Sequence, residues 1–145
     1  MTMGDLSDHF NHKDFICHCP ECRGEEYKIH LGLVGALEMI AEHFQKPIKV
    51  LSGFWCEAYN EKLKKEKISF HCKGKAAHIQ VEGVPLAEVF KFAETLPELN
   101  GLGLYPQENF LHLDTRPAEK KDAWVKEGER YSSLTAEKRK QHGLL

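Results

Sequence analysis

A chain of 145 residues with 41% hydrophobic content holds enough apolar material for one domain with a real interior, which excludes disorder as the default state. The formal charge is only −2, from 20 basic and 22 acidic residues, and no stretch before the C-terminus sets basic residues beside stacking aromatics, so the sequence gives no support to nucleic-acid binding. No segment approaches the roughly 20 apolar residues needed to span a bilayer, and Met1 to Asp8 lacks the basic start and apolar run of an export signal, so neither a membrane partner nor export is expected of the sequence as given.

In chain order, residues 1–28 read as an irregular arm anchored by Phe10, Phe15 and Ile16. Three of the five cysteines crowd into Cys17-His18-Cys19-Pro20-Glu21-Cys22. Two readings stay open: reduced thiols, some of them buried, or a second, structural zinc held by Cys17, Cys19 and Cys22 with Cys56 or Cys72 as fourth ligand. A Cys56–Cys72 or Cys17–Cys56 disulfide would require an oxidising compartment.

From His30 to Gln45, Leu31, Val34, Leu37, Ile40, Ala41 and Phe44 recur at steps of three and four, the stripe of an amphipathic helix, and Pro47 stops it. Ile48-Lys49-Val50-Leu51 is a short strand ending at the turn signal Ser52-Gly53. Glu57 to Lys67 favours helix but has few apolar residues, which predicts a surface helix. Ala76 to Val81 alternates, placing His78 and Gln80 on one face and Ala77, Ile79 and Val81 on the other. Pro85 suits the first turn of a helix through Leu96. Strands 101–105 and 110–115 then pair across a turn at Pro106 to Asn109, with Phe110, His112 and Asp114 on one face. After Pro117 the composition is strongly charged; Trp124, Tyr131 and Leu134 offer docking points, and the last ten residues read as frayed or as a solvated helix. Helices and short strands without regular βαβ alternation indicate a single α+β domain with a mainly antiparallel sheet: arm 1–28, body 29–117 and charged tail 118–145.

The chemistry concentrates in Ser69-Phe70-His71-Cys72-Lys73-Gly74-Lys75-Ala76-Ala77-His78, a loop with one histidine running into a strand with another. Imidazole is a common metal ligand at neutral pH, and with His112 downstream three side chains could converge on one cation.

These residues resemble the zinc D-Ala-D-Ala carboxypeptidases and L-alanoyl-D-glutamate endopeptidases that cut bacterial cell-wall peptides, a family that shares its fold with the hedgehog signalling domain. Its signature is approximately S-x-H-x-x-G-x-A-x-D with a later H-x-D strand; Ser69, His71, Gly74 and Ala76 match the first part, and His112 and Asp114 the second. Ser52-Gly53-Phe54-Trp55-Cys56 with Asn60, and Gly101-Leu102-Gly103-Leu104-Tyr105-Pro106, resemble further family segments, as do Ser7 to Phe10 and Asp14 to Cys17. The resemblance implies a hedgehog/DD-peptidase-like α+β fold, Zn2+ as cofactor, and a peptide substrate of the peptidoglycan-stem type. It also implies His71 and His112 as zinc ligands, Asp114 as a group that orients a ligand, and Ser69, Trp55, Asn60 and Tyr105 on the substrate side.

The sequence departs from the family at three positions. His78 stands where the family has its aspartate ligand, which keeps a good zinc donor but removes one negative charge. Trp55 replaces an arginine thought to hold a substrate carboxylate. Asn109 occupies the place of the general base, an amide that cannot take a proton, which leaves Glu108 as the nearest substitute. The expected function is therefore zinc-dependent peptide hydrolysis; the alternatives are a zinc-binding module of the same fold without catalysis, and a fold using metal only for stability. A cell-wall substrate lies outside the cytoplasm, so a phage-type release or a signal missing from the sequence would reconcile substrate and location.

Overall fold

The computed structural model describes residues 6–17, 29–55, 71, 74–117 and 119–144. Their frame is a six-stranded sheet formed by β1 (Ile48–Ser52), β2 (Ala76–Val81), β3 (Gly101–Tyr105), β4 (Phe110–Asp114), β5 (Asp122–Glu127) and β6 (Arg130–Ser133), in the order β1-β2-β4-β3-β5-β6. All neighbours are antiparallel except β3 and β5, which run parallel. The fold is α+β, and the mainly antiparallel sheet read from the sequence is present.

One face of this sheet is the core. Period-2 alternation sends Ala77, Ile79, Leu111, Leu113, Leu102, Leu104 and Val125 to that side, all of them buried. They meet α1 (Leu31–Phe44) and α2 (Leu86–Glu94). Helix α1 delivers Leu33, Leu37 and Ile40 from its apolar stripe and α2 delivers Val89, Phe90 and Ala93. Gln45 ends α1 in the left-handed region at φ 54°, its N–H bonded to the Ala41 carbonyl, just ahead of Pro47.

The N-terminal arm packs as its apolar anchors suggest. Phe10 and Phe15 are buried with ring centroids 5.7 Å apart around a 3-10 turn at His12–Asp14. Phe15 also receives the backbone N–H of Phe54 on its carbonyl at 2.8 Å. The arm lies so close that a Cβ at Gly53 would sit 2.8 Å from the Phe15 Cα. Cys17 is buried; Cys19, Cys22, Cys56 and Cys72, and with them the cysteine-bound metal and disulfide expectations, lie outside the described residues, as do the surface helix expected over 57–67 and the residues Asn60 and Ser69.

The expected charged tail is instead folded structure. Residues after Pro117 add β5 to the free side of β3, turn back as β6, and end in α3 (Ala136–Gln141), whose N-cap Thr135 accepts from the Lys138 N–H. Ala123 and Val125 face the core while Trp124 and Lys126 face the other way, and Leu144 is buried in the main apolar cluster. The last ten residues thus include the helix that the sequence allowed.

Candidate metal centre

The opposite face of the sheet carries His78 from β2 and His112 from β4, which are directly paired in register. His71 joins them from the loop ahead of β2. That loop closes through the Gly74 N–H donating to the His71 carbonyl at 3.1 Å, with Gly74 at φ 69°, a conformation that glycine adopts without a Cβ penalty. The Gly74 carbonyl in turn accepts the His30 N–H at 2.7 Å, which ties the loop to the start of α1.

The imidazoles converge. His71 Nε2 lies 3.2 Å from His78 Nε2, and His78 Nε2 lies 3.1 Å from His112 Nδ1. One ligand atom from each residue lies within 4.8 Å of the others, so the three can hold a metal ion. The outward nitrogens of two of them are held in a way that fixes the tautomer. His71 Nδ1 is 2.7 Å from the Gly53 carbonyl, which can only accept, and His112 Nε2 is 2.7 Å from the Asp114 carboxylate. Each therefore donates outward and leaves a lone pair pointing inward, on Nε2 and Nδ1 respectively. Tetrahedral zinc with Zn–N near 2.0–2.1 Å separates its nitrogens by about 3.4 Å, close to the spacing found here. The donor set fits zinc.

Aromatic rings wall the cluster. Trp55 stacks on His71 with centroids 3.7 Å apart at 13°, and its indole N–H donates to Ser52 Oγ. Phe110 stacks on His78 at 4.3 Å and on Tyr105 at 4.4 Å. Trp55 thus supports a histidine on the described side of the site. Tyr105 accepts from the Trp124 indole N–H at 3.3 Å, and burial pushes its hydroxyl above the ordinary tyrosine range.

The acids occupy different places. Asp114 is fully buried behind His112. Burial alone would raise its carboxyl, yet hydrogen bonds and charge from His112 and Arg116 outweigh that and hold it well below the usual carboxylate range. Glu108 sits in the turn after β3, where Lys126 Nζ engages its Oε1 at 2.7 Å and lowers its pKa. Asn109 takes φ 60° and its carbonyl accepts from the Gln80 side chain at 2.5 Å. Gln80 and Asn109 also border a cavity of about 670 Å3 that runs to Lys49, Asp14 and Glu82 at the end of β1 and β2.

Sequence reasoning missed Arg116, which binds Asp114, and the glycines' reason for being glycine. A Cβ on Gly101 would lie 2.2 Å from the Asp114 carboxylate oxygens, and one on Gly103 would lie 2.6 Å from the Trp124 indole. The G-x-G pattern was visible in the sequence; the side chains that cross β3 above it were not.

Three imidazoles converge on the face of the α+β sheet opposite the core, two of them with their outer nitrogens anchored by the protein, in an arrangement that could hold a metal ion. The chain belongs to the peptidase M15 family, whose model matches residues 8–114. It is 35% identical over 79 residues to the peptidoglycan L,D-endopeptidase MepK of Escherichia coli K12, covering 51% of this chain and 43% of that protein. It is 39% identical over 75 residues to the probable peptidoglycan L,D-endopeptidase MepK of Haemophilus influenzae, covering 48% of this chain and 40% of that protein. The chain thus spans less than half the length of these curated relatives.

Proposed function

We propose that this chain is a zinc-dependent peptidase that hydrolyses a peptide bond in peptidoglycan stem peptides, with His71, His78 and His112 as the metal ligands. The observation that carries the reading is the convergence of the three imidazoles at zinc spacing, with His71 and His112 fixed in tautomer, in a family of peptidases. Zinc held there would supply a Lewis acid that polarises the scissile carbonyl and acidifies water. The residues of the chain do the rest. His71 and His112 are oriented by Gly53 and Asp114, so Asp114 acts on a ligand and is not free to take a proton from the substrate side. Trp55, Phe110 and Tyr105 wall the site, and a peptide chain lying across β2 passes over Gln80 toward the cavity beside Lys49. Glu108 is the proton acceptor in this reading, and to serve it exchanges Lys126 for the substrate side. The family motifs would add Ser69 and Asn60, which lie outside the described residues, as substrate-binding groups.

One observation favours a second reading. Asn109 cannot accept a proton, and Glu108 is already paired with Lys126, which suits a zinc-binding module of the same fold that recognises stem peptides without cutting them. A direct measurement separates the two. Zinc-loaded protein is incubated with purified peptidoglycan and the soluble fragments are resolved by chromatography and mass spectrometry. New L,D-cleaved fragments that vanish in the His112→Ala variant and fall at least tenfold in Glu108→Gln support the peptidase. Full zinc occupancy and peptide binding without fragments would support the module. Less than about 0.3 equivalents of zinc, unaffected by His78→Ala or His112→Ala, would refute the metal centre itself.

A further inference from the structure

The stretch matched by the family model ends at Asp114, yet the surroundings of His112 do not end there. The Asp114 carboxylate receives His112 Nε2 on Oδ2 at 2.7 Å and is then gripped by Arg116, two residues along. The Arg116 backbone N–H donates to Oδ1 at 3.1 Å, Nε to Oδ1 at 2.9 Å and Nη2 to Oδ2 at 2.7 Å. Both oxygens are engaged from one planar fork, so the carboxylate cannot rotate away from His112 without breaking a bidentate pair in a site closed to water. Arg116 is itself placed: its carbonyl accepts from Asn100 Nδ2 at 2.9 Å, and Nη1 reaches Asp122 at 2.9 Å.

Trp124, from β5, closes the arrangement. Its indole lies in the gap that Gly103 leaves, with its ring centroid 5.2 Å from that of His112, and the Arg116 guanidinium carbon is 5.2 Å from the indole centroid. The indole is therefore a plate in contact with both the ligand and the cation that anchors the ligand's acid. Gly101 leaves the matching space for Asp114.

We propose that Arg116 and Trp124, both beyond the family-matched stretch, are positioning residues of the metal centre: Arg116 locks Asp114, and Trp124 packs His112 and Arg116 together, so that His112 presents Nδ1 to the metal. This rests on the reading of the triad as a zinc site. The C-terminal segment is then part of the site's construction and not an appendage to it.

The test uses the full chain with Zn2+ and Co2+ as probes. Zinc affinity is measured by competition with a chromophoric chelator, ligand geometry by the visible bands of the cobalt-substituted protein, and the His112 tautomer in the metal-free protein by long-range proton–nitrogen NMR. In the parent protein His112 carries its proton on Nε2. Arg116→Gln and Trp124→Ala should weaken zinc binding by about 10- to 100-fold, change the cobalt bands, and give a mixture of His112 tautomers. Arg116→Lys keeps the charge but not the fork and should give an intermediate loss; Trp124→Phe keeps a plate and should stay near the parent. Folded Arg116→Gln and Trp124→Ala proteins with parental affinity, bands and tautomer would overturn the proposal. If either fails to fold by circular dichroism, Arg116→Lys decides, because parental values in all three measurements would overturn it equally. A parent protein that binds no zinc while its His112 tautomer still depends on Arg116 would refute the zinc reading and leave the positioning intact.

Discussion

At the scale of single residues, the site is set as much by what is missing as by what is present. Gly101 and Gly103 have no side chain because Asp114 and Trp124 cross β3 at those points, with built Cβ distances of 2.2 and 2.6 Å. Gly101→Ala should therefore cost about 1–3 kcal/mol of stability through overpacking, and should also weaken zinc binding by displacing the carboxylate that orients His112. Gly35 is the control. It lies on the exposed side of α1, nothing among the described residues comes within 4 Å of its built Cβ, and Gly35→Ala should stabilise by about 0.5–1 kcal/mol with zinc affinity unchanged. Thermal melts of both variants beside a zinc titration check the pair. His71 and His78 were legible in the sequence because a loop running into a strand sets two imidazoles close together, and His112, far downstream, was legible through the H-x-D match to the family. Arg116 was not, because its role depends on a fork closing on a buried acid two residues back, and an isolated arginine in a charged stretch gives no sign of that.

At the scale of elements, the strands and helices of the body follow their periods closely, since one face of each is apolar and the other is not. Helix α1 occupies 31–44 within the stripe read over His30 to Gln45, and β2 is the alternating run itself. The C-terminal elements were harder to see. In β5 the outward residues Trp124 and Lys126 are used by the site face, so both faces are partly covered and the flanking charges obscure the alternation of Ala123 and Val125. The charges themselves are structural links. Glu127 on β5 bonds Lys138 on α3 and lies 3.1 Å from His142 Nε2, and the hydrogen bond from Lys138, then that from His142, holds its carboxyl below the ordinary glutamate range. A carboxylate with a depressed folded-state pKa stabilises above its unfolded value and loses that contribution as pH falls through the folded value. Glu127→Gln should thus melt at a lower temperature than the parent near pH 6, and the difference should shrink to nothing in acid below the depressed value. Paired melts from pH 7 down to 3 measure it; the shift should be small, since the pair is at the surface.

At the scale of the whole molecule, the sheet has the three converging imidazoles on one face and its apolar core on the other, so supports from distant parts of the chain meet behind the same three rings. The N-terminal arm presses Phe15 against Gly53, whose carbonyl holds His71, and the C-terminal strands bring Trp124 against His112. Arg139 forks onto Glu94 of α2, and Lys121 Nζ donates to the carbonyls of Leu96 and Leu99 beyond that helix, so the C-terminal segment is fastened to the core layer as well as to the sheet. Its removal has a calculable character. Ending the chain at Pro117 keeps every triad residue and every family-matched position, but it strips Val125 and Leu144 from the core, bares the β3 edge and leaves Arg116 without Asp122 and Trp124. An exposed strand edge flanked by newly uncovered apolar side chains pairs with other chains. The truncated protein should therefore melt at least 10 °C lower, since losing two buried aliphatic side chains alone costs several kcal/mol in a domain of this size, and it should self-associate. Light scattering beside a melting curve checks this. A monomeric truncation with parental melting and zinc binding would mean that residues 1–117 form the site unaided, and would remove the C-terminal strands from its construction.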